Sequence, residues 1–316
     1  MQFRTQIPIL PGNNPIDYNS KIVSLGSCFA VNMADKFDYF KFQNSTNPFG
    51  IIFNPVSIER IIKRVAEQEL FTEKDVFFHN ERWHCFEVHS DLSNSDREEL
   101  LETLNKAIEV THKQLSDATH IIITYGTSWI YRNIESNEIV ANCHKVPQKQ
   151  FLKELLSVDT TQKSIQNTID LIRTINPDVK FIFTVSPVRH IKDGFVENQL
   201  SKSHLFAALH ATFDFQLSTS SYFPSYEIMM DELRDYRFYG EDMLHPNQIA
   251  IDYIWKLFSK NYISENSISI MQEVDEIQKS LRHRSFNPES DQHLKFLSKL
   301  HQKISLLGDK CPSIKF

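Results

Sequence analysis

The sequence predicts a doubly wound α/β fold: a three-layer α/β/α sandwich around a central parallel sheet. Three largely apolar runs carry that reading, Ile22–Leu25, Thr119–Tyr125 and Val179–Val185. A strand reads as a continuous apolar run when both of its faces are buried, which requires a sheet covered by helices on both sides. Stretches of helical periodicity stand between these runs, and that alternation gives layers rather than a barrel of hairpins.

Taken in order, Ile22–Leu25 is the first strand and Val31–Tyr39 a helix. A short strand around Phe40–Phe42 leads into Asn47-Pro48-Phe49-Gly50, and Pro55 opens a helix to Leu70, where its missing N–H costs nothing. Val76–Phe78 and Trp83–Val88, joined by residues 79–82, predict an inserted aromatic hairpin. Ser93 or Ser95 caps a helix to about Leu115 with acidic residues in its first turn. After Thr119–Tyr125 comes a second hairpin, Ser128–Tyr131 against Ile139–Asn142. Pro147–Asn176 reads as a helix broken near 159–161, Leu200–Leu217 as another, Tyr222–Met230 as the last strand and Asn247–Lys260 as the helix after it. From residue 263 the composition changes: Ile268–Leu281 and His293–Ile304 predict two appended helices. The expected division is a main domain over 1–262 and a helical extension over 263–316, packed on that domain or serving a homo-oligomer contact.

A chain of 316 residues with 41% hydrophobic and 23% charged residues can bury a sizeable core. Its net charge of −6 argues against a nucleic-acid or polybasic membrane partner. The apolar patch near the start is interrupted by Pro8 and Pro11, which suits neither a signal peptide nor a spanning helix, so a cytoplasmic protein with no membrane span is expected. Cys28, Cys85, Cys143 and Cys311 show no C-x-x-C spacing and read as reduced thiols. There is no glycine-rich phosphate loop, so no nucleotide cofactor is expected. His79, His84 and His89 are spaced by five, which alternates strand faces and argues against a metal site.

Two segments carry the chemistry. Lys21–Leu25 ends in Gly26-Ser27-Cys28 and then a helical pattern, a strand-to-helix turn that exposes a nucleophile. Asp242-Met243-Leu244-His245 places a carboxylate three residues before an imidazole, at the start of another helix. In that arrangement His245 is the general base and Asp242 orients its ring. Of only seven glycines, Gly26, Gly50, Gly126 and Gly240 fall in candidate motifs. Cys143-His144 is not read as a nucleophile and base, because adjacent side chains on an extended chain point apart.

Gly26-Ser27-Cys28-Phe29-Ala30 is, letter for letter, the motif for which the GSCFA family is named, and that family is similar to the SGNH/GDSL hydrolases. Asn47-Pro48-Phe49-Gly50-Ile51, Arg82-Trp83-His84, Tyr125-Gly126-Thr127-Ser128-Trp129, Asn142-Cys143-His144-Lys145 and Ser186-Pro187-Val188-Arg189-His190 resemble the same family, over residues 20 to 260. The resemblance implies an SGNH-like sandwich and an acyl-enzyme. The SGNH motif reads Gly-Asp-Ser, so alignment puts Ser27 at the aspartate and Cys28 at the nucleophile, with Ser27 as the other nucleophile candidate. The second and third oxyanion positions fall at Gly50 and at Gly126-Thr127-Ser128, where Ser128 stands in place of an asparagine, so that either the hole is built differently or Asn47 or Asn142 assists. Asn142, His144, Lys145, Arg189 and His190 are expected around the cleft, where a cation suits an anionic substrate group. The implied reaction is hydrolysis of a small-molecule or glycan-linked acyl ester. An acyltransferase using a donor such as acyl-coenzyme A, or a non-catalytic ligand-binding protein with the same cleft, are the alternatives.

Overall fold

The computed structural model describes residues 5–212 and 220–316. In chain order, β1 (Lys21–Gly26), α1 (Cys28–Tyr39), β2 (Gln43–Thr46) and α2 (Pro55–Glu67) come first, followed by the hairpin β3 (Phe77–His79) and β4 (Arg82–His84). Then come α3 (Arg97–Asp117), β5 (His120–Tyr125), β6 (Trp129–Asn133), β7 (Ile139–Val140), β8 (Phe151–Leu155), α4 (Val158–Ile175), β9 (Lys180–Val185) and α5 (Phe195–Thr212). The chain closes with β10 (Ser220–Tyr222), the short α6 (Ser225–Glu227), α7 (Gln248–Tyr262), α8 (Glu265–Arg282) and α9 (Asp291–Lys310).

Among the described residues the central sheet runs β2-β1-β5-β9-β10, with every pairing parallel. Side chains alternate along each strand and so feed two separate cores. Val23 and Leu25 of β1, Ile121 and Ile123 of β5, and Phe181 and Phe183 of β9 pack under α2 to α5. Ile22, Ile122 and Ile182 point the other way, to the core shared with α1, α7, α8 and α9. The three-layer α/β/α sandwich read from the apolar runs is therefore the observed architecture. The strand order reverses between β1 and β5, and in open sheets of this kind the crevice beyond the strand C-termini at the reversal binds ligands.

Local chemistry fixes the helix starts. Asn54 accepts from the Ser57 N–H at 2.8 Å with Pro55 next in line, and Asp96 accepts from the Glu99 N–H at 2.9 Å. Asn247 caps α7 and donates its amide to the Arg237 carbonyl at 2.7 Å, which holds the loop before α7 against that helix. Helices α8 and α9 cover α1 and α7: Tyr39 donates to Asp275 at 2.8 Å, and Met271, Val274, Leu300 and Leu307 are buried in the same core as Phe29 and Phe37.

Five elements depart from the sequence reading. Residues 151–155 form an edge strand rather than a helix: β8 pairs antiparallel with β6, and Glu154 forks onto Arg132 at 2.8 and 3.0 Å, so a pairing across twenty residues overrides the helical propensity of Leu-Lys-Glu-Leu. The last strand stops at Tyr222, because Pro224 cannot extend the ladder and Ser225 turns its hydroxyl onto the Val185 carbonyl at 2.8 Å; helical turns follow to Glu232. The strand expected at 40–42 begins at Gln43, after Lys41 takes a left-handed conformation. The hairpin strand expected to reach Val88 ends at His84. The helix expected over 200–217 begins earlier, at Phe195, and the part past Thr212 lies outside the described residues.

The inserted hairpin is fastened by a buried charge cluster. Arg64 on α2 forks onto Glu87 at 3.0 and 2.8 Å and reaches Asp75 at 3.1 Å, with its guanidinium stacked over Phe71. No described helix is long and apolar enough to cross a membrane.

Candidate active site

The turn after β1 is built around two backbone constraints. Gly26 sits at φ +125°, where a Cβ would come within 2.1 Å of the Thr124 carbonyl oxygen on neighbouring β5. Only glycine tolerates that approach. The Ser27 N–H then donates to the same Thr124 carbonyl at 3.0 Å, and the Asn47 side chain accepts from the Gly26 N–H at 2.8 Å. The chain is thus held on both sides as it leaves the strand. Ser27 takes the N-cap position of α1 without giving it a side-chain bond; the Ala30 N–H donates to the Ser27 carbonyl at 2.9 Å, and the Cys28 and Phe29 N–H groups face the Cys28 sulfur.

Cys28, the first residue of α1, lines a cavity of about 610 Å³ beyond the C-terminal ends of β1 and β5. Ser27 does not line it; its side chain is fully buried and its hydroxyl has no partner among the described residues. Burial pushes the Cys28 thiol above its ordinary value. The Lys202 ammonium and the N–H groups of Phe29 and Cys28 pull it back down.

His245 lines the same cavity. Its Nδ1 meets Asp242 Oδ2 at 2.5 Å, while Asp242 Oδ1 accepts from the backbone N–H groups of Leu244 and His245 at 2.9 and 3.0 Å. Those two backbone bonds, and then the ring, hold the Asp242 carboxyl down at about 2. With Nδ1 donating to a carboxylate, Nε2 is the atom left to accept a proton. The pair is half-exposed and sits on a loop, Gly240–Asn247, pinned by the Gly240 N–H donating to the His245 carbonyl at 2.8 Å.

The cavity also collects Thr127, Asn142, Arg189 and His190 from the sequence-derived set. Gly126 lies just behind its wall: its N–H donates to the Phe53 carbonyl at 2.8 Å, and a Cβ there would come within 3.3 Å of His190 Nε2. Burial, with Lys202 and His245 alongside, pulls His190 down to about 3, so it is a neutral ring at working pH.

The other expected lining residues do not reach the cavity. Ser128 is turned inward, its hydroxyl donating to the Ser201 carbonyl at 3.1 Å and its N–H to the Ser201 hydroxyl at 2.7 Å. It therefore does not present its hydroxyl as the third oxyanion donor. Gly50, at φ +74°, is packed against His89, where a Cβ would lie 2.2 Å from the His89 Cβ. Asn47 has its side-chain oxygen committed to Gly26. His144 is buried with Nε2 on the Cys85 carbonyl at 2.7 Å, and Lys145 is exposed outside the cavity. No group of three or more metal-ligating side chains is present among the described residues.

Lys202 on α5 is the residue that sequence reasoning missed. It is fully buried, and its ammonium donates to the Gly126 and Ser186 carbonyls, both at 2.8 Å. These carbonyls end β5 and β9, so one amine ties together the two loops behind the cavity. Burial pulls it down to about 7, and the Cys28 thiol opposes that shift. Its helical phase was the available signal: Asn198, Ser201, Lys202, Leu205, Ala208 and Leu209 form one buried stripe.

The GSCFA family model matches residues 21–258, and a model described as the GSCFA domain protein, C-terminal domain, matches residues 274–316. The chain belongs to the GSCFA family. The family's name motif is thus the turn that carries Cys28. No curated protein matches the chain. Among solved structures, a Clostridium thermocellum family 3 carbohydrate esterase is similar at 10% identity over 80% of this chain and 97% of that one, with a TM-score of 0.35.

Proposed function

We propose that this GSCFA protein is an SGNH-like ester hydrolase that works through an acyl-enzyme on Cys28. The observation that carries the reading is that Cys28 and His245 line one cavity at the sheet's reversal point, with Asp242 behind the imidazole on its Nδ1. His245 Nε2 takes the thiol proton as Sγ attacks the ester carbonyl carbon. The developing oxyanion is met by the Cys28 and Phe29 N–H groups at the start of α1. Collapse of the tetrahedral intermediate breaks the carbon–oxygen bond, His245 returns its proton to the departing alkoxide, and a thioester remains on Cys28. Water, deprotonated by His245, attacks the thioester; acid is released and the thiol restored. Asp242 keeps the ring in the tautomer that both half-reactions need.

Transfer to a second alcohol is favoured by one feature: the β6-β7-β8 sheet adds Trp129 and Tyr131 to the cavity wall, shielding a thioester there from bulk water. The assay is alkylation and turnover together. Iodoacetamide should label Cys28 ahead of Cys85 and Cys143, which burial pushes up to about 12 and about 11. His245→Ala should slow Cys28 labelling at least about tenfold and p-nitrophenyl acetate turnover by about 10² to 10⁴. Turnover that rises only when an alcohol acceptor is added supports transfer. Labelling of Cys28 that is indifferent to His245→Ala, with no turnover of either kind, would leave a ligand-binding protein.

A further inference from the structure

We infer that the Cys28 cavity takes a substrate bearing an anionic group, carboxylate or phosphate, and that Arg189 is the residue that holds it; this rests on the reading of Cys28 and His245 as the reacting groups. Arg189 follows β9 through Ser186-Pro187-Val188 and stands half-buried on the cavity wall. Its guanidinium is held only by neutral groups. Nε and Nη2 point at the Met230 thioether sulfur, at 3.2 and 3.0 Å, and the Tyr226 hydroxyl is a further partner. No carboxylate lies within ion-pair distance of it among the described residues.

Two other arginines, on α2 and β6, are treated differently. Arg64 is answered by Glu87 and Asp75, and Arg132 by Glu154. Asp193, on the same loop and wall as Arg189, is taken instead by Lys153 at 2.5 Å. Asp242 has its oxygens committed to His245 and two backbone N–H groups. The cavity wall therefore carries an arginine whose nearest candidates for a counter-ion on that wall and its rim, Asp193 and Asp242, are engaged elsewhere, with the exposed Lys192 and a neutral His190 on the same wall.

Removing a guanidinium from water without a counter-charge is unfavourable, and a sulfur acceptor returns little of what is lost. The planar fork is at the same time immobilised by two donors on one sulfur, so the order needed to bind an oxyanion is already in place. A structural arginine would be expected to find a carboxylate or carbonyl; one kept on neutral partners beside a reactive thiol suits an incoming anion.

Two alkylating agents of nearly equal size test this, because iodoacetate carries the carboxylate that iodoacetamide lacks. At low ionic strength, the iodoacetate-to-iodoacetamide rate ratio at Cys28 should exceed that of a free thiol such as glutathione. Arg189→Met should lower the ratio about tenfold and Arg189→Lys should restore part of it. Since Arg189→Met could perturb the fold, wild-type protein supplies a second readout: acetate or inorganic phosphate, but not chloride at matched ionic strength, should protect Cys28 from iodoacetamide. Protection by acetate alone assigns a carboxylate, and by phosphate alone a phosphate. A glutathione-like ratio in the wild type, together with no protection by either anion, overturns the proposal. The ratio cancels the intrinsic reactivity of Cys28, so its dependence on Arg189 is read separately from the dependence of labelling on His245, and the two readings fail independently.

Discussion

Replacing Lys202 by methionine should change the pH dependence of stability in a calculable direction. The ammonium is fully buried and its pKa is drawn from 10.5 to about 7. The unfolded chain therefore binds more protons than the folded one between these values, and stability contributed by this site rises with pH across that window. The gap of about 3.5 units corresponds to roughly 5 kcal/mol of protonation cost when both states are charged, below about pH 7. Between about pH 7 and 8.5 this cost relaxes by about 2 kcal/mol. Lys202→Met has no such proton, so urea denaturation at these two pH values should show the wild type gaining about 2 kcal/mol on the variant. His144 and His190, drawn to about 4 and about 3, are neutral in both states by its upper end, and the thiols of Cys85 and Cys143, which burial raises in the folded state, contribute alike to wild type and variant. The absolute offset between the proteins also includes the two carbonyls that lose their donor, so only the change with pH is diagnostic. Parallel stability curves for wild type and variant would refute the claim that this amine is held near neutrality.

Gly26→Ala should destabilise by at least about 3 kcal/mol in urea titration, since the added methyl meets a backbone oxygen at 2.1 Å in a conformation that L-residues avoid. A loss under about 1 kcal/mol would mean that the turn relaxes freely. Glu87→Ala should cost about 3 to 5 kcal/mol because it takes from the buried Arg64 its one buried, two-pronged carboxylate and leaves it Asp75 and the exposed Glu69. An additional Arg64→Met change should recover part of that loss, and a double variant no more stable than Glu87→Ala would contradict the account.

The β5 and β9 strands were legible because burial on both faces leaves a largely apolar signature that needs no knowledge of partners. Asp242 and His245 were legible for a different reason: three residues apart on one turn, they define their own geometry. Residues 151–155 were misread because the information lies in β6, whose backbone and Arg132 supply the partners. The orientation of Ser128 was hidden in the same way, being set by Ser201 on a helix more than seventy residues downstream. Lys202 was overlooked because a lysine in a sequence suggests solvent, and only its phase on α5 contradicts that.

The substitution of serine for aspartate at residue 27 fits the chemistry proposed for residue 28. A carboxylate beside Cys28 would raise the thiol further, adding to burial and to the nearby Asp242 that already push it up. Serine at this fully buried position brings no such charge, so that Lys202 and the helix N–H groups have only burial and Asp242 to oppose at the sulfur. A hydroxyl nucleophile has far to fall before it ionises and depends on a well-shielded base, whereas a thiol needs only a modest shift and tolerates a base in contact with water. The Asp242–His245 pair is such a base, half-exposed on its loop. Uncharged residue 27 and the exposed imidazole therefore suit a thiol that gives up its proton to His245 as it attacks, and together they favour Cys28 over Ser27 as the attacking atom.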